Sequence, residues 1–78
     1  ALLHVWPNPT QGSLNVEVPK EVSGSYNVVI TDMIGQIVHQ DNEQTDRIWK
    51  QDLNLSSGLY MVRLLAENKS YSIPIIIE

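Results

Sequence analysis

The sequence contains no cysteine, which excludes disulfide bridges, thiol catalysis and cysteine-based zinc sites. It has no phenylalanine and only two alanines, and no segment shows the heptad repeat of a long helix. No apolar run approaches the roughly 20 residues that cross a bilayer as a helix, and no signal peptide pattern opens the chain. These absences argue against a helical bundle, a disulfide scaffold and a membrane-spanning helix.

Basic residues are few and scattered along the chain. Nine acidic residues stand against five basic ones, which gives a formal net charge of -4. The five basic residues are Lys20, Arg47, Lys50, Arg63 and Lys69. Because a nucleic-acid surface needs Lys and Arg clustered on one face, the sequence predicts no nucleic-acid partner.

The apolar residues that are present favour strands. Hydrophobic types make up 42% of the 78 residues, and most are Val, Ile and Leu, which suit a pleated and half-buried surface. A chain of this size hides only about 60% of its unfolded surface and holds one core. We therefore predict a single all-β domain over residues 1–78. Because the sequence does not begin with Met, we expect this domain to come from a longer protein.

The most strand-like segment follows a turn signal near the end of the chain. Ser56 to Gly58 are residue types that favour tight turns. After them Tyr60, Val62 and Leu64 alternate with polar or flexible residues, as one buried face of a strand requires. The rest of the chain is expected to cover this strand.

Seven short strands separated by turns predict an immunoglobulin-like antiparallel β-sandwich. Ile37 and His39 are expected to share a face of the fourth strand, and the polar run 41–46 is expected to be an exposed loop. Pro74 cannot donate to a strand ladder, so the last strand is expected to lie at a sheet edge or to point that position away from its partner. The predicted strands are 2–6, 13–18, 25–31, 36–40, 47–53, 59–65 and 69–77.

Residues that could carry chemistry do not form a recognisable site. His4 is isolated, and His39 with Asp41 or Glu43 could bind a metal only weakly, since no second histidine lies at ligand spacing. Asp41, Glu43 and Asp46 alternate as in some calcium loops but lack the glycine and the closing glutamate. No Gly-x-Ser-x-Gly nucleophile motif is present. The sequence predicts no enzyme, no metal and no cofactor.

Three motifs, in this order and at this spacing, together resemble the C-terminal sorting domain of type IX secretion cargo, the Por secretion system sorting domain. They are WPNPTQG at 6–12, DMIGQIV at 32–38 and LSSGLYMVRL at 55–64. The resemblance covers nearly the whole chain and implies an immunoglobulin-like sandwich at the end of a larger exported protein. The turn residues that match it are Pro7, Asn8, Pro9, Gly12, Asp32 and Gly35.

The resemblance implies a non-catalytic secretion signal with two partners at the outer membrane. A type IX translocon reads the domain after the cargo has reached the periplasm. A sortase-like cysteine protease then usually removes the domain and attaches the cargo to anionic lipopolysaccharide, so the cargo ends on the cell surface or is secreted. Family members commonly finish with a basic residue, whereas this chain finishes in Glu78, and we therefore expect the parent protein to keep its domain.

The last two predicted strands are expected to carry the recognition residues. The segment 69–78 is an edge strand in this prediction, and free backbone groups at an edge offer a docking strip for strand addition. The residues predicted to contact the partner are Gly58, Leu59, Tyr60, Lys69, Ile73, Ile75, Ile76, Ile77 and Glu78.

An accessory extracellular module that binds carbohydrate or protein is the alternative, since sandwiches host many functions. A sugar-binding face needs exposed aromatic side chains that lie close together. The candidates are Trp6 and Trp49. Packing in the core or at its rim is favoured for both, because large aromatic side chains contribute much of the buried area in a small domain.

Overall fold

The computed structural model describes residues 3–78, and within them it contains seven strands and no helix. The first predicted strand included Leu2, which lies outside the described residues. The strands are β1 (His4–Trp6), β2 (Ser13–Glu17), β3 (Tyr26–Thr31), β4 (Ile37–Gln44), β5 (Ile48–Asp52), β6 (Gly58–Leu65) and β7 (Ser70–Ile77).

The strands form two antiparallel sheets that pack as a sandwich. One sheet has three strands in the order β1-β2-β5, and the other has four in the order β4-β3-β6-β7. The chain crosses between the sheets three times, from β2 to β3, from β4 to β5 and from β5 to β6, as in the immunoglobulin-like sandwiches. The predicted all-β sandwich is therefore confirmed.

One hydrophobic core lies between the sheets, and strand alternation fills it. In β6 the buried side chains are Tyr60, Val62 and Leu64, and β2 contributes Leu14 and Val16 from the opposite sheet. The face that the sequence assigned to the core in β6 is the face that the structure buries.

Strand β4 is longer than the sequence predicted. The expected exposed loop at 41–46 is wrong, because β4 continues to Gln44 and Asp41 pairs with Val28 of β3. Asp41 also accepts a hydrogen bond of 2.9 Å from Nε1 of Trp49 across the two sheets. A polar residue can belong to an edge strand when a neighbouring residue forms a hydrogen bond with its side chain. The polarity of residues 41–46 alone gives no sign that Trp49 supplies this bond.

The predicted shared face of Ile37 and His39 is also wrong. The register between β3 and β4 shifts between Ile30, which pairs with His39, and Thr31, which pairs with Ile37. One residue, Val38, is extra on β4 and packs against the core. Such a shift moves the side chains beyond it to the other face, so Ile37 is exposed.

Strand β7 is an edge strand, as Pro74 indicated. Ala66 and Lys69 exchange both backbone hydrogen bonds at the turn before it. Antiparallel pairs alternate between bonded and non-bonded positions, so Pro74 and its partner Met61 form a non-bonded pair. Proline is tolerated there because no ladder bond needs its missing N–H.

Candidate recognition surface

The opening turn is built around a buried threonine. The hydroxyl of Thr10 donates to the carbonyl of Ser13 and accepts from the amide of Gly12 at 3.0 Å. Gly12 has a φ of 134°, and its carbonyl accepts from the amide of Leu53 at 2.8 Å. A Cβ at Gly12 would lie 2.8 Å from the Leu53 carbonyl oxygen. The turn therefore needs glycine for both its backbone angle and its close approach to β5's end.

The same turn holds the outer edge of β7 through four hydrogen bonds. The amide nitrogen of the Asn8 side chain donates to the carbonyl of Pro74 at 3.2 Å, and its oxygen accepts from the amide of Ile76 at 3.1 Å. The amide of Thr10 donates to the carbonyl of Ile76 at 2.9 Å, and the amide of Glu78 donates to the carbonyl of Thr10 at 2.8 Å. We call these four bonds the clamp.

The middle turn, by contrast, is closed by its own residues. The carboxylate of Asp32 accepts from the amides of Ile34 at 3.0 Å and Gln36 at 2.9 Å. The backbones of Asp32 and Gln36 are also bonded, and Gly35 has a φ of 88°. Met33 and Ile34 are 65% and 87% exposed at its tip. The turn exposes apolar side chains at one end of the four-stranded sheet.

The late motif contains a tyrosine corner. The hydroxyl of Tyr60 donates to the carbonyl of Ser56, four residues earlier, at 2.7 Å. This contact at the start of a strand recurs in immunoglobulin-like sandwiches and gives Tyr60 a structural role. Tyr26 makes a similar bond of 2.6 Å to the carbonyl of Asp46. Burial, with the nearby Asp46 carboxylate, raises the pKa of Tyr26 above its ordinary value.

The predicted recognition residues divide into buried and accessible sets. Tyr60, Ile75 and Ile77 belong to the core, and Ile73 packs against it. The side chains of these four residues face the core. The accessible members are Gly58, Leu59, Lys69, Ile76 and Glu78.

Leu59 and Ile76 lie in a larger apolar patch on the outer face of the four-stranded sheet. Cross-strand pairs place Ile37, Thr31, Met61 and Pro74 in one row, and the pair of Leu59 with Ile76 lies in the next row. We define the apolar patch as Ile37, Leu59, Met61, Pro74 and Ile76, which are all partly or largely exposed. The sequence alone did not predict that Ile37, Met61 and Pro74 lie beside Leu59 and Ile76 on the surface. The available signal was that β6 and β7 carry apolar residues on both faces.

Two contacts in the described part of the chain join a histidine to a carboxylate. His4 lies 3.0 Å from the carboxylate of Glu17 on an exposed surface. Nε2 of His39 lies 3.3 Å from the Asp41 oxygen that also accepts from Trp49. Among residues 3–78 no three metal-ligating side chains come together.

The two tryptophans do not form an aromatic platform. Trp49 is 3% exposed and pairs with the buried Val16. Trp6 pairs with Asn15, the next residue along β2, and therefore lies on the opposite face of that sheet. The close pair of exposed aromatics that a sugar-binding face requires is not formed by these two residues.

The fold and its accessible features define a small β-sandwich module that exposes an apolar patch on the outer face of one sheet. A sequence model described as "Secretion system C-terminal sorting domain" (Por_Secre_tail) matches residues 4–78. The chain belongs to this family, the C-terminal sorting domains of type IX secretion. A search of curated proteins found no match.

Membership of this family gives the function in outline. The domain is a C-terminal sorting signal for type IX secretion, and it belongs to a family of signal domains rather than catalytic ones. Such a signal implies contact with the secretion system and export across the outer membrane, to the cell surface or the medium. Within the described residues there is no long apolar helix of the kind that spans a membrane.

Proposed function

We propose that residues 1–78 form the single C-terminal sorting domain of a larger exported protein, and that the type IX translocon reads it through the apolar patch. The domain acts without catalysis, and recognition takes place in the periplasm, before the protein crosses the outer membrane. The observation that carries this proposal is the group of exposed apolar side chains on the outer face of β6 and β7.

The patch has the composition of a protein-binding surface. Leu59 and Ile76 are 41% and 48% exposed and lie side by side. Each square ångström of apolar surface that a partner covers contributes roughly 25 cal/mol, and a few such central residues usually dominate the affinity of an interface. None of the five residues of the patch is acidic, although the chain carries nine acidic residues. A partner with an apolar contact surface therefore fits it best.

Deletion of the last strand would be a poor test of this surface. Removal of the residues after Ser72 also removes Ile75 and Ile77, which are buried in the core. Loss of such side chains costs about 2–5 kcal/mol each, and two such losses together are comparable to the whole stability of a small domain, about 5–15 kcal/mol. Loss of export in the truncated form would therefore report unfolding as well as recognition.

Single surface substitutions separate the two effects. A periplasmic reporter is fused ahead of residue 1 in a host with a type IX system, and surface export is measured for Leu59→Ser and Ile76→Ser. Leu65→Ser is the matched control, because Leu65 is 39% exposed on the same strand and face but lies at the other end of β6. We expect export to fall for Leu59→Ser and Ile76→Ser and to persist for Leu65→Ser, with all three domains folded.

Equal loss of export in all three variants would mean that the whole outer face, not the patch, is read. Normal export of both patch variants would overturn the proposed surface, and failure of the unmodified fusion would overturn sorting by this domain.

A sortase-like protease at the cell surface is the second partner that the family implies, whereas the terminal Glu78 favours retention of the domain. Mass spectrometry of the surface form tests this step. Loss of residues 64–78 supports cleavage and contradicts the expectation, drawn from Glu78, that the parent keeps its domain. An intact segment 64–78 supports retention and removes the protease from the pathway of this protein.

A further inference from the structure

The two arginines of the chain differ in what their guanidinium groups contact. The guanidinium of Arg47 donates to the carbonyls of Val18 at 3.0 Å and Val22 at 3.2 Å. The guanidinium of Arg63, by contrast, takes part in none of the ion pairs formed within residues 3–78, and its side chain is exposed. Arg47 therefore stabilises the fold through its donors, whereas the charge of Arg63 is available to a partner outside the chain.

Arg63 lies on the outer face of the four-stranded sheet, beside the apolar patch. It pairs with Val29 of β3 and Ser72 of β7. The neighbouring pair on the same face is formed by Met61 and Pro74, which belong to the patch. Residues on one face of a strand recur about every 7 Å. A partner that covers the patch therefore comes within reach of the Arg63 guanidinium.

The row of cross-strand pairs that contains Arg63 holds no carboxylate. Val29 and Ser72 are its direct partners, and Gln40 of β4 completes the row. Glu78, which follows β7, lies six positions beyond Ser72, roughly 20 Å along the strand. Arg63 therefore places a positive charge beside an apolar patch, in a chain whose formal net charge is -4.

We propose that Arg63 binds a carboxylate on the translocon component that covers the apolar patch, and that this contact contributes to the selection of the domain for export. This inference rests on the proposed function, because it takes the apolar patch as the surface that is read. The contact surface of the partner then combines apolar side chains with an Asp or Glu at their border. A guanidinium holds a carboxylate through two parallel hydrogen bonds, and arginine is among the residues that most often dominate the affinity of an interface.

The distribution of charge favours a protein carboxylate over a membrane or a nucleic acid. Anionic lipids and phosphate backbones are bound by clusters of Lys and Arg. In the described chain, the four strands of this sheet contain one Lys or Arg, which is Arg63. A single cation bordered by apolar side chains suits one carboxylate on a protein surface.

Export of the reporter fused ahead of residue 1 tests the contact with three substitutions. Arg63→Lys keeps the positive charge, Arg63→Met keeps an unbranched stem without charge, and Arg63→Glu reverses the charge. We expect the initial rate of export to fall least for Arg63→Lys and most for Arg63→Glu. For Arg63→Met we expect a fall of roughly tenfold, the effect of losing a charge-assisted hydrogen bond.

Lys50→Glu is the matched control, because it makes the same change in net charge at an exposed position of β5, in the other sheet. This variant should be exported normally. Equal losses in Lys50→Glu and Arg63→Glu would overturn a contact at this position, and equal losses in Arg63→Lys and Arg63→Glu would overturn a contact made by the charge. Circular dichroism establishes that each domain is folded, and Arg63→Gln replaces any Arg63 variant that is not.

Leu59→Ser is measured beside these variants, so that failure of the carboxylate contact is distinguished from failure of the patch. Loss of export in Leu59→Ser with normal export of Arg63→Glu would overturn the carboxylate contact and leave the apolar patch as the recognised surface. Normal export of Leu59→Ser would overturn the patch, and with it the partner that this inference describes.

Sedimentation with vesicles of phosphatidylglycerol and phosphatidylethanolamine tests the membrane as the other source of an anion. We expect the domain to stay in the supernatant at physiological salt. Binding to these vesicles that Arg63→Glu abolishes would overturn the protein carboxylate in favour of a lipid phosphate.

Discussion

The opening turn and the middle turn have similar sequence signatures, but they differ in how far along the chain their hydrogen-bond partners lie. Both combine an Asx residue with a glycine at positive φ, at Gly12 and at Gly35. The opening turn bonds to Leu53, which follows β5, to three backbone groups of β7 and to the amide of Glu78. The described bonds of the middle turn lie within Asp32 to Gln36. A turn motif therefore predicts its local conformation well and its distant contacts poorly.

This difference assigns the two motifs different physical roles. The opening turn joins the two ends of the chain, since Asn8 and Ile76 are 68 residues apart. The middle turn fixes the register of one hairpin and presents its tip to solvent. Damage to the first should destabilise the whole sandwich, while damage to the second should remain local.

The largest difference in stability between the two turns is expected when the glycine of each turn is replaced by alanine. In Gly12→Ala the new Cβ would lie 2.8 Å from the Leu53 carbonyl oxygen, whereas Gly35→Ala meets nothing within 4 Å. Both pay for positive φ, at about 1–2 kcal/mol, and the clash should raise the loss at Gly12 to about 3–4 kcal/mol. Urea unfolding of both variants measures the free energies. Equal losses would mean that the opening turn relaxes freely and is as local as the middle one.

An intermediate effect is expected when the polar side chain of each turn is removed. Thr10→Val keeps the branched shape but leaves the Ser13 carbonyl and the Gly12 amide without their buried partner. We expect a loss of about 2–3 kcal/mol, because unsatisfied buried groups are costly. Asp32→Ala exposes its two amides to water at a cost of about 1 kcal/mol.

Thermal unfolding of Thr10→Val and Asp32→Ala measures the two losses of stability. Thr10→Ser is the control that retains the hydroxyl. The contrast between the turns fails if Asp32→Ala proves the more damaging variant, or if Thr10→Ser is as unstable as Thr10→Val.

The sequence predicted those parts of the fold that depend on local periodicity. Alternation identified the buried face of β6, and Pro74 indicated an edge strand, because each of these features depends on the sequence of a single strand. The extension of β4 through Asp41 was missed, since the satisfying partner Trp49 lies on the other sheet. The register shift near Val38 was missed for a related reason, because it depends on how two strands align.

The candidate surface was predictable only in part. The last two strands were expected to carry recognition residues, and Leu59 and Ile76 are accessible there. Ile75 and Ile77 were included with them although alternation places both in the core. The apolar patch as a whole needed the strand order, because Ile37 joins it from β4, on the far side of β3. The clamp needed both ends of the chain to be located together.

The smallest effect on stability is expected at the tip of the middle turn. Met33→Ser with Ile34→Ser replaces two largely exposed side chains, so the free energy of unfolding should change by no more than about 0.5 kcal/mol per site. The amides that bond to Asp32 remain in place. Because the apolar patch excludes this tip, export of the fused reporter should also be unchanged. A fall in export with unchanged stability would show that the middle turn reaches a partner outside the chain, while the opening turn reaches only within it.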